Sequence, residues 1–373
     1  MKVAIVHDWL VNFGGAERVV EQMLQLYPDA DIYTLVYDEK KMGKYFPKEK
    51  IHTSFLQKIP FATKLYTKFL KFMPAAFEAF DLTGYDLVLS SSSSCAKGVI
   101  TSPTTPYLAY IHSPMRYAWD LYYDYLRKSG RITRHFMKKW IPGIRQWDYI
   151  SSQRIDCLVA NSSYISSRIR KFWGRDSLVI NPPVDTDRLE PNNLPAEDFY
   201  LVFSRFVPYK RIDLAISACG QMGRHLVVLG GGSQEKELKK LASSYKNAKI
   251  EFKGRLKDSE VASYLQRCRA LIFCAEEDFG IIPVEAQACG RPVIAYGRGG
   301  ALETVVEGKT GTFFDSQTSE SLIKAIKKFE QMEKENIFST TTIREHAQDF
   351  SSQHFRDQLR DAVEKTIERV KIK

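Results

Sequence analysis

The sequence predicts two doubly wound α/β domains built on parallel sheets. Three observations carry this. Short apolar runs alternate with amphipathic stretches along the whole chain. The alternation runs twice, broken once by a segment rich in proline and asparagine at 181–195. The 373 residues also exceed the roughly 250–300 at which a single core stops growing.

In the first half the apolar runs that read as strands are 2–6, 31–35, 86–90, 107–111, 157–160 and 178–180. In the second half they are 199–204, 225–229, 249–253, 270–274 and 292–296. Helical periodicity fills the gaps, as at 16–27, 212–219, 234–244 and 259–267. The break runs from Asn181-Pro182-Pro183-Val184-Asp185 to Pro191-Asn192-Asn193-Leu194-Pro195, a composition that halts any element. The expected domains are therefore 1–187 and 188–351, followed by a charged helical tail at 352–373. The serine run 90–94 reads as the opening of a loop after a strand. In doubly wound sheets ligands bind beyond the carboxyl ends of the strands, so the loops there are the places to look.

A hydrophobic content of 44% and a charged content of 26% are those of a globular protein, which sets disorder aside. No apolar run approaches the ~18 residues of a membrane span. The opening Met1-Lys2-Val3-Ala4-Ile5-Val6 meets His7 and Asp8 at once, too short for a signal peptide and suited to a buried strand. Cytoplasmic residence is the expectation. The cysteines Cys95, Cys157, Cys219, Cys268, Cys274 and Cys289 form no Cys-x-x-Cys pair, so reduced core residues are expected.

The net charge of +10 is unevenly spread. Residues 126–145 contain no acid but carry Arg127, Lys128, Arg131, Arg134, Lys138, Lys139 and Arg145, interleaved with Phe136, Met137, Trp140 and Ile141. A second stretch sets Lys58, Lys64, Lys68 and Lys71 among Phe61, Tyr66, Phe69 and Phe72. Such mixtures suit peripheral contact with an anionic bilayer, with Arg131, Arg134, Lys138, Lys139 and Trp140 as its core. They equally suit solvated helix faces over a core. Nucleic acid is not expected as a partner, because no nucleic-acid module accompanies the charge.

Several glycine turns lie at strand ends. Gly14 and Gly15 precede the first helix; exposed backbone amides and a helix N-terminus suit phosphate, as they also suit a plain tight turn. Gly230, Gly231 and Gly232 follow another strand, and Gly299 and Gly300 a third. Arg205 and Lys210 lie five apart across a proline turn, and two fixed cations at one strand edge suit a diphosphate. His112 ends the strand 107–111 and, as a histidine, titrates near neutrality; a lone histidine is also often structural.

The most specific stretch is 277–290, E-D-F-G-I-I-P-V-E-A-Q-A-C-G. Pro283 suits a first helical position. Glu277 then lies in a loop and Glu285 in the first helical turn, flanking a helix N-terminus that can hold phosphate. Glu285 in isolation also fits simple helix-dipole complementation.

These residues resemble retaining glycosyltransferase family four, whose fold is GT-B: two Rossmann-like domains facing each other across a cleft. Glu277 to Glu285 matches its E-x7-E signature, 204–211 resembles its G-R-x-x-x-x-K element with Ser204 in place of glycine, and N-P-P-V-D at 181–185 resembles its interdomain link. The opening V-H-D-W-L with G-G-A-E-R-V is similar to bacterial mannosyltransferases of surface polysaccharide assembly, including lipopolysaccharide. The resemblance implies an N-terminal acceptor-binding domain, a C-terminal domain binding a nucleotide-sugar donor, and a final helix crossing back onto the first domain. It implies that Arg205 and Lys210 hold the diphosphate, that Glu285 binds the ribose and that Glu277 contacts the transferred sugar. Backbone at Phe279, Gly280, Ile281 and Ile282, with Gly14, Gly15 and Gly231, completes the donor site. His112 matches the histidine at the reacting centre, and Arg255 falls beside the base.

The implied reaction is transfer with retention, in which the leaving phosphate helps deprotonate the acceptor. The first candidate donor is GDP-mannose, and a lipid-linked or polysaccharide acceptor is expected. No cofactor and no metal is expected, although Asp185-Thr186-Asp187 spells a D-x-D motif, because that triplet lies in the link and not at a donor-domain strand end. Two other functions share these features: a sugar-nucleotide epimerase of the same fold, and a non-catalytic nucleotide- or polyanion-binding protein.

Overall fold

The computed structural model describes residues 1–192 and 194–372. It divides into two compact units, Met1–Pro183 with Phe355–Lys373, and Val184–His354.

The first unit holds seven strands: β1 (Val3–His7), β2 (Asp31–Thr34), β3 (Ile51–Thr53), β4 (Leu87–Ser92), β5 (Tyr107–Ile111), β6 (Cys157–Ala160) and β7 (Leu178–Val179). Their order is β3-β2-β1-β4-β5-β6-β7, and every pairing is parallel. A parallel sheet is covered on both faces, which is why β1, β4 and β5 are buried along their whole length. One face packs Val6, Val88 and Ala109 against Ile141, Ile165 and Trp173. The other packs Ile5, Leu89 and Tyr110 against Val19, Val20 and Met23 of the helix Gly15–Leu26. The closing helix Ser352–Lys371 lays Phe355, Leu359 and Val363 on that same face, with the Phe355 ring edge-on to Tyr110 at 5.7 Å.

A charged knot lies inside this unit. Lys97 Nζ is 2.7 Å from an Asp148 carboxylate oxygen, and both side chains are fully buried. The Asp148 carboxylate also accepts the indole N–H groups of Trp119 at 2.7 Å and Trp173 at 2.8 Å. Lys97 donates to the Ser151 hydroxyl at 2.9 Å and sits over the rings of Trp147 and Trp173.

The second unit holds β8 (Tyr200–Arg205), β9 (Leu226–Gly231), β10 (Ile250–Gly254), β11 (Ala270–Phe273), β12 (Val293–Tyr296) and β13 (Gly311–Phe314). The order is β10-β9-β8-β11-β12-β13, again all parallel. Helices Ile212–Met222 and Ser319–Lys334 cover one face; Ile281–Ala288 and Asp258–Arg267 cover the other. Each sheet reverses its strand order once, between β1 and β4 in the first unit and between β8 and β11 in the second. Loops leaving neighbouring strands at such a point depart to opposite faces and open a crevice at the carboxyl edge.

Two strands escape the apolar-run reading. β3 is three residues long at a sheet edge and largely exposed, so it carries no apolar signal. β13 begins at Gly311, where a Cβ would lie 2.0 Å from the Val293 carbonyl oxygen, so the close approach excludes an apolar side chain. β4 runs two residues further than expected, through Ser92, so most of the serine run is strand and not loop. The unit boundary falls after Pro183 and not after 187, because Val184 N–H donates to Phe350 O at 2.9 Å and Thr186 donates to Gln348 at 3.0 Å, both inside the second unit. The return falls before Phe355 and not before 352, because Phe355 is the first residue of the last helix to enter the core of the first unit.

Candidate functional site

In the second unit the reversal point brings together the loops after β8 and β11. Arg205 ends β8, is exposed, and donates to the Tyr209 hydroxyl at 3.2 Å. The turn Pro208–Lys210 then folds Lys210 inward until it is only 9% exposed, and its ammonium pairs with the Glu277 carboxylate from the loop after β11. Residues 67 apart in sequence thus share one strand-edge position. Gly280 follows with φ +91°, a left-handed conformation that side-chain-bearing residues rarely adopt, and the helix Ile281–Ala288 starts immediately after it. The N-cap residue Gly280 has no side chain of its own, and backbone amides and the helix dipole at such an end favour an anion.

Two sequence expectations are corrected in this helix. It begins at Ile281, so Pro283 is its third residue and not its first, and Glu285 is its fifth and lies in the second turn. The left-handed Gly280 lets the helix begin earlier than a proline-led start would. Glu285 is 8% exposed. Phe279 is buried and faces Phe350 at 5.6 Å, so only its backbone is available to a ligand, while Ile281 and Ile282 are half-buried.

The glycines divide into two kinds. Gly300 N–H donates to the Glu277 carbonyl at 2.8 Å, and a Cβ on Gly300 would lie 2.2 Å from the Phe279 Cα. The Gly299-Gly300 turn therefore supports the loop that carries Glu277. We expect Gly300→Ala to displace that loop, cost about 1–3 kcal/mol through overpacking, and weaken nucleoside diphosphate binding; calorimetry measures both. Gly231 has room above it: a Cβ there would meet Arg255 Nε at 3.5 Å, so the exposed Arg255, following β10, reaches over Gly231. Arg205, Gly231 and Arg255 thus follow one another along the carboxyl edges of β8, β9 and β10.

In the first unit the reversal point holds residues that the sequence reading passed over. Asp8 is buried and accepts the backbone amides of Ser93 at 2.6 Å, Ser94 at 2.9 Å and Ala96 at 2.8 Å, which fixes the loop after β4. His7 at the end of β1 is paired in register with Ser91 of β4. Its Nδ1–H donates to the Ser91 carbonyl at 3.1 Å and its Nε2 lies 3.4 Å from Glu17. Burial opposes charge on His7, yet the Glu17 hydrogen bond and charge, with Asp8 and the Ser91 carbonyl, outweigh it and raise the pKa. Gly14 precedes the helix and Gly15 is its first residue, not a residue ahead of it; the Glu17 carboxylate folds back beside Gly14, 3.2 Å from where a Cβ would stand.

His112 follows β5 and accepts or donates at Nε2 with the Ser91 hydroxyl, 2.8 Å away. Burial, reinforced by His7, pushes its pKa down to about 3, so it does not titrate near neutrality as expected. A histidine held neutral in the fold leaves the native state with fewer protons than the unfolded chain between pH about 3 and 6.5. Its contribution to stability is full above 6.5 and declines as the pH falls through that window.

The basic stretch forms the helix Arg131–Gln153. Arg131, Lys138 and Lys139 are exposed, with Ile132 76% and Phe136 40% exposed beside them. Two members of the expected group are already engaged. Arg134 donates to the carbonyls of Leu126 at 3.0 Å and Ser129 at 3.1 Å, closing the end of the preceding helix. Trp140 is half-buried, stacked on Phe136 at 4.6 Å with Lys71 over its ring. Among the described residues no helix is long and apolar enough to cross a membrane. All six cysteines are free, and five of them are buried. In the D-x-D triplet, Asp185 pairs with Arg188 at 3.2 Å and Thr186 bonds to Gln348.

Comparison with known proteins matches residues 13–188 to the Glycosyltransferase Family 4 model and residues 185–345 to the Glycosyl transferases group 1 model. The O-antigen chain mannosyltransferase C of Escherichia coli is 24% identical, over 93% of each chain. The GDP-mannose-dependent alpha-(1-6)-phosphatidylinositol monomannoside mannosyltransferase of Mycolicibacterium smegmatis is 30% identical over 46% of this chain and 52% of that one. The crystal structure of Anabaena HepE in complex with UDP superposes with a TM-score of 0.71 at 17% identity, covering 98% of this chain and 100% of that one. With one family domain matched in each half and the sheet order of both units in view, the chain belongs to the family-four glycosyltransferases of the GT-B fold.

Proposed function

We propose that this glycosyltransferase moves mannose from GDP-mannose, with retention of configuration and without a metal, onto a lipid-linked or polysaccharide acceptor. The Lys210–Glu277 pair at the β8/β11 reversal point, beside the helix N-terminus at Gly280, carries the reading. Lysine, arginine and helix amides supply fixed positive charge where a departing diphosphate develops negative charge. In this reading Arg205 and Lys210 hold the diphosphate, Glu285 the ribose and Glu277 the sugar, Arg255 lies beside the base, and His112 meets the transferred sugar. The mannosyltransferase relatives favour mannose over other sugars.

The test is a screen of nucleotide sugars for thermal stabilisation, followed by transfer assays with the best donor. GDP-mannose should stabilise most, the product should keep the donor's anomeric configuration, and transfer should persist in excess EDTA. Activity lost in EDTA and restored by manganese overturns the metal-free part. Interconversion of the donor sugar with no acceptor present would instead identify an epimerase.

The exposed Arg131, Lys138 and Lys139, with Ile132 and Phe136, support peripheral contact with an anionic membrane at its cytoplasmic face. Each basic residue near such a surface contributes about 1 kcal/mol. Lys138→Gln/Lys139→Gln should therefore weaken sedimentation with phosphatidylserine vesicles by about 10–30-fold, and salt should weaken the parent in the same way. Equal binding to neutral and anionic vesicles would count against it.

A further inference from the structure

On one face of the first sheet, three neighbouring strands change character at their carboxyl ends. The inward residues run Val3, Ile5, His7 on β1, Leu87, Leu89, Ser91 on β4, and Leu108, Tyr110, then His112 just past β5. Period-two alternation puts each of these sets on one side of the sheet. Parallel register sets His7 opposite Ser91, and Ser91 opposite Tyr110. An apolar face thus ends in a line of three polar side chains, with Glu17 of the covering helix behind His7.

The hydrogen bonds in this line have a direction. The Ser91 carbonyl can only accept, so His7 Nδ1, 3.1 Å away, carries a proton. The Ser91 hydroxyl is 3.2 Å from that same Nδ1, so toward His7 it accepts. Its single proton is left for His112 Nε2 at 2.8 Å. A ring that accepts at Nε2 and is neutral has its proton on Nδ1. Glu17, an acceptor beside His7 Nε2, and the nearby Asp8 favour the protonated form of His7 against its burial.

We infer that Glu17, His7 and Ser91 form a positioning chain that fixes His112 in the Nδ1–H tautomer, so that the ring offers a hydrogen-bond donor, and not a base, to a sugar hydroxyl. The last clause rests on the proposed transferase reading; the tautomer does not. His7, Ser91 and Glu17 act through His112 and are positioning residues. Deprotonation of an acceptor is then left to the departing phosphate.

Long-range ¹H–¹⁵N spectra of protein labelled at histidine nitrogens test this without any substrate, with His112→Gln identifying the His112 signals. At pH 7.5 His112 should show the Nδ1–H pattern, and His7 should carry a proton on Nδ1. Ser91→Ala should shift His112 toward the Nε2–H pattern, and Ser91→Thr, which keeps the hydroxyl, should retain the parent pattern. In transfer assays Ser91→Ala should lower kcat on the order of 10–100-fold, the scale for groups that orient a functional histidine, with donor KM unchanged. An Nε2–H or imidazolium His112 in the parent protein, or a tautomer unmoved in Ser91→Ala, overturns the inference. A parent protein that turns over no nucleotide sugar overturns the transferase reading instead, and the spectra still decide the tautomer.

Discussion

Lys210→Ala is expected to lower kcat/KM for sugar transfer by about 10²–10³-fold, the usual loss when one preorganised positive group is removed from a developing anion. The side chain is buried, and its ammonium pairs with Glu277 across the β8/β11 reversal point. Alanine removes the cation and leaves the Glu277 carboxylate without its Lys210 partner at the proposed diphosphate position, so nucleoside diphosphate affinity is expected to fall as well. Glu277→Gln separates the two roles. It keeps the shape but frees the Lys210 charge, so GDP or UDP should bind as tightly as to the parent or more tightly, while transfer still drops by about 10²-fold. Titration calorimetry with GDP and with UDP, beside transfer kinetics and a circular-dichroism check of folding, reads both. Parental turnover in Lys210→Ala would remove the donor-site reading.

Asp148→Ala is expected to destabilise the first unit by about 3–5 kcal/mol, because breaking a buried ion pair strands its partner. Lys97 would keep only the Ser151 hydroxyl and two aromatic faces as company, and the indole N–H groups of Trp119 and Trp173 would lose their shared acceptor. At about 2–4 °C per kcal/mol for a domain of this size, the transition should fall by more than about 6 °C. The double replacement Lys97→Met/Asp148→Leu should recover part of that loss, since it removes both charges together. Differential scanning calorimetry decides it; a loss under about 1 kcal/mol, the scale of a surface pair, would show that the knot contributes little.

The parallel sheets were legible because strands covered on both faces are largely apolar, and short apolar runs mark eleven of the thirteen strands among the described residues. Ile51–Thr53 and Gly311–Phe314 did not, one being exposed and the other led by a glycine that a neighbouring carbonyl demands. The donor-side candidates were legible for a related reason. Arg205, Lys210, Glu277 and Gly280 each follow a strand or open a helix, and short loops keep a residue near the strand end that precedes it.

The first-unit chain was much harder to see. His7, Asp8 and Ser91 looked like the tail of a strand and part of a serine run, because nothing local marks a polar residue as one of a set. Their alternation with Val3, Ile5, Leu87 and Leu89 was a usable signal, but only once the strands were known to be neighbours.

What the sequence by itself determined is the class of fold, the two-unit division to within a few residues, and the strand-end loops in which Arg205, Lys210 and Glu277 lie. These depend on local patterning, which period and composition encode directly. Tertiary structure decided who meets whom: Lys210 with Glu277, His7 with Ser91 and His112, and a last helix that leaves the second unit for the first. It also decided that the His112 pKa is pushed down, since burial and the neighbouring His7 belong to the neighbourhood and not to the residue. Pairing register and burial arise between segments far apart in the chain, and no single stretch of sequence contains them.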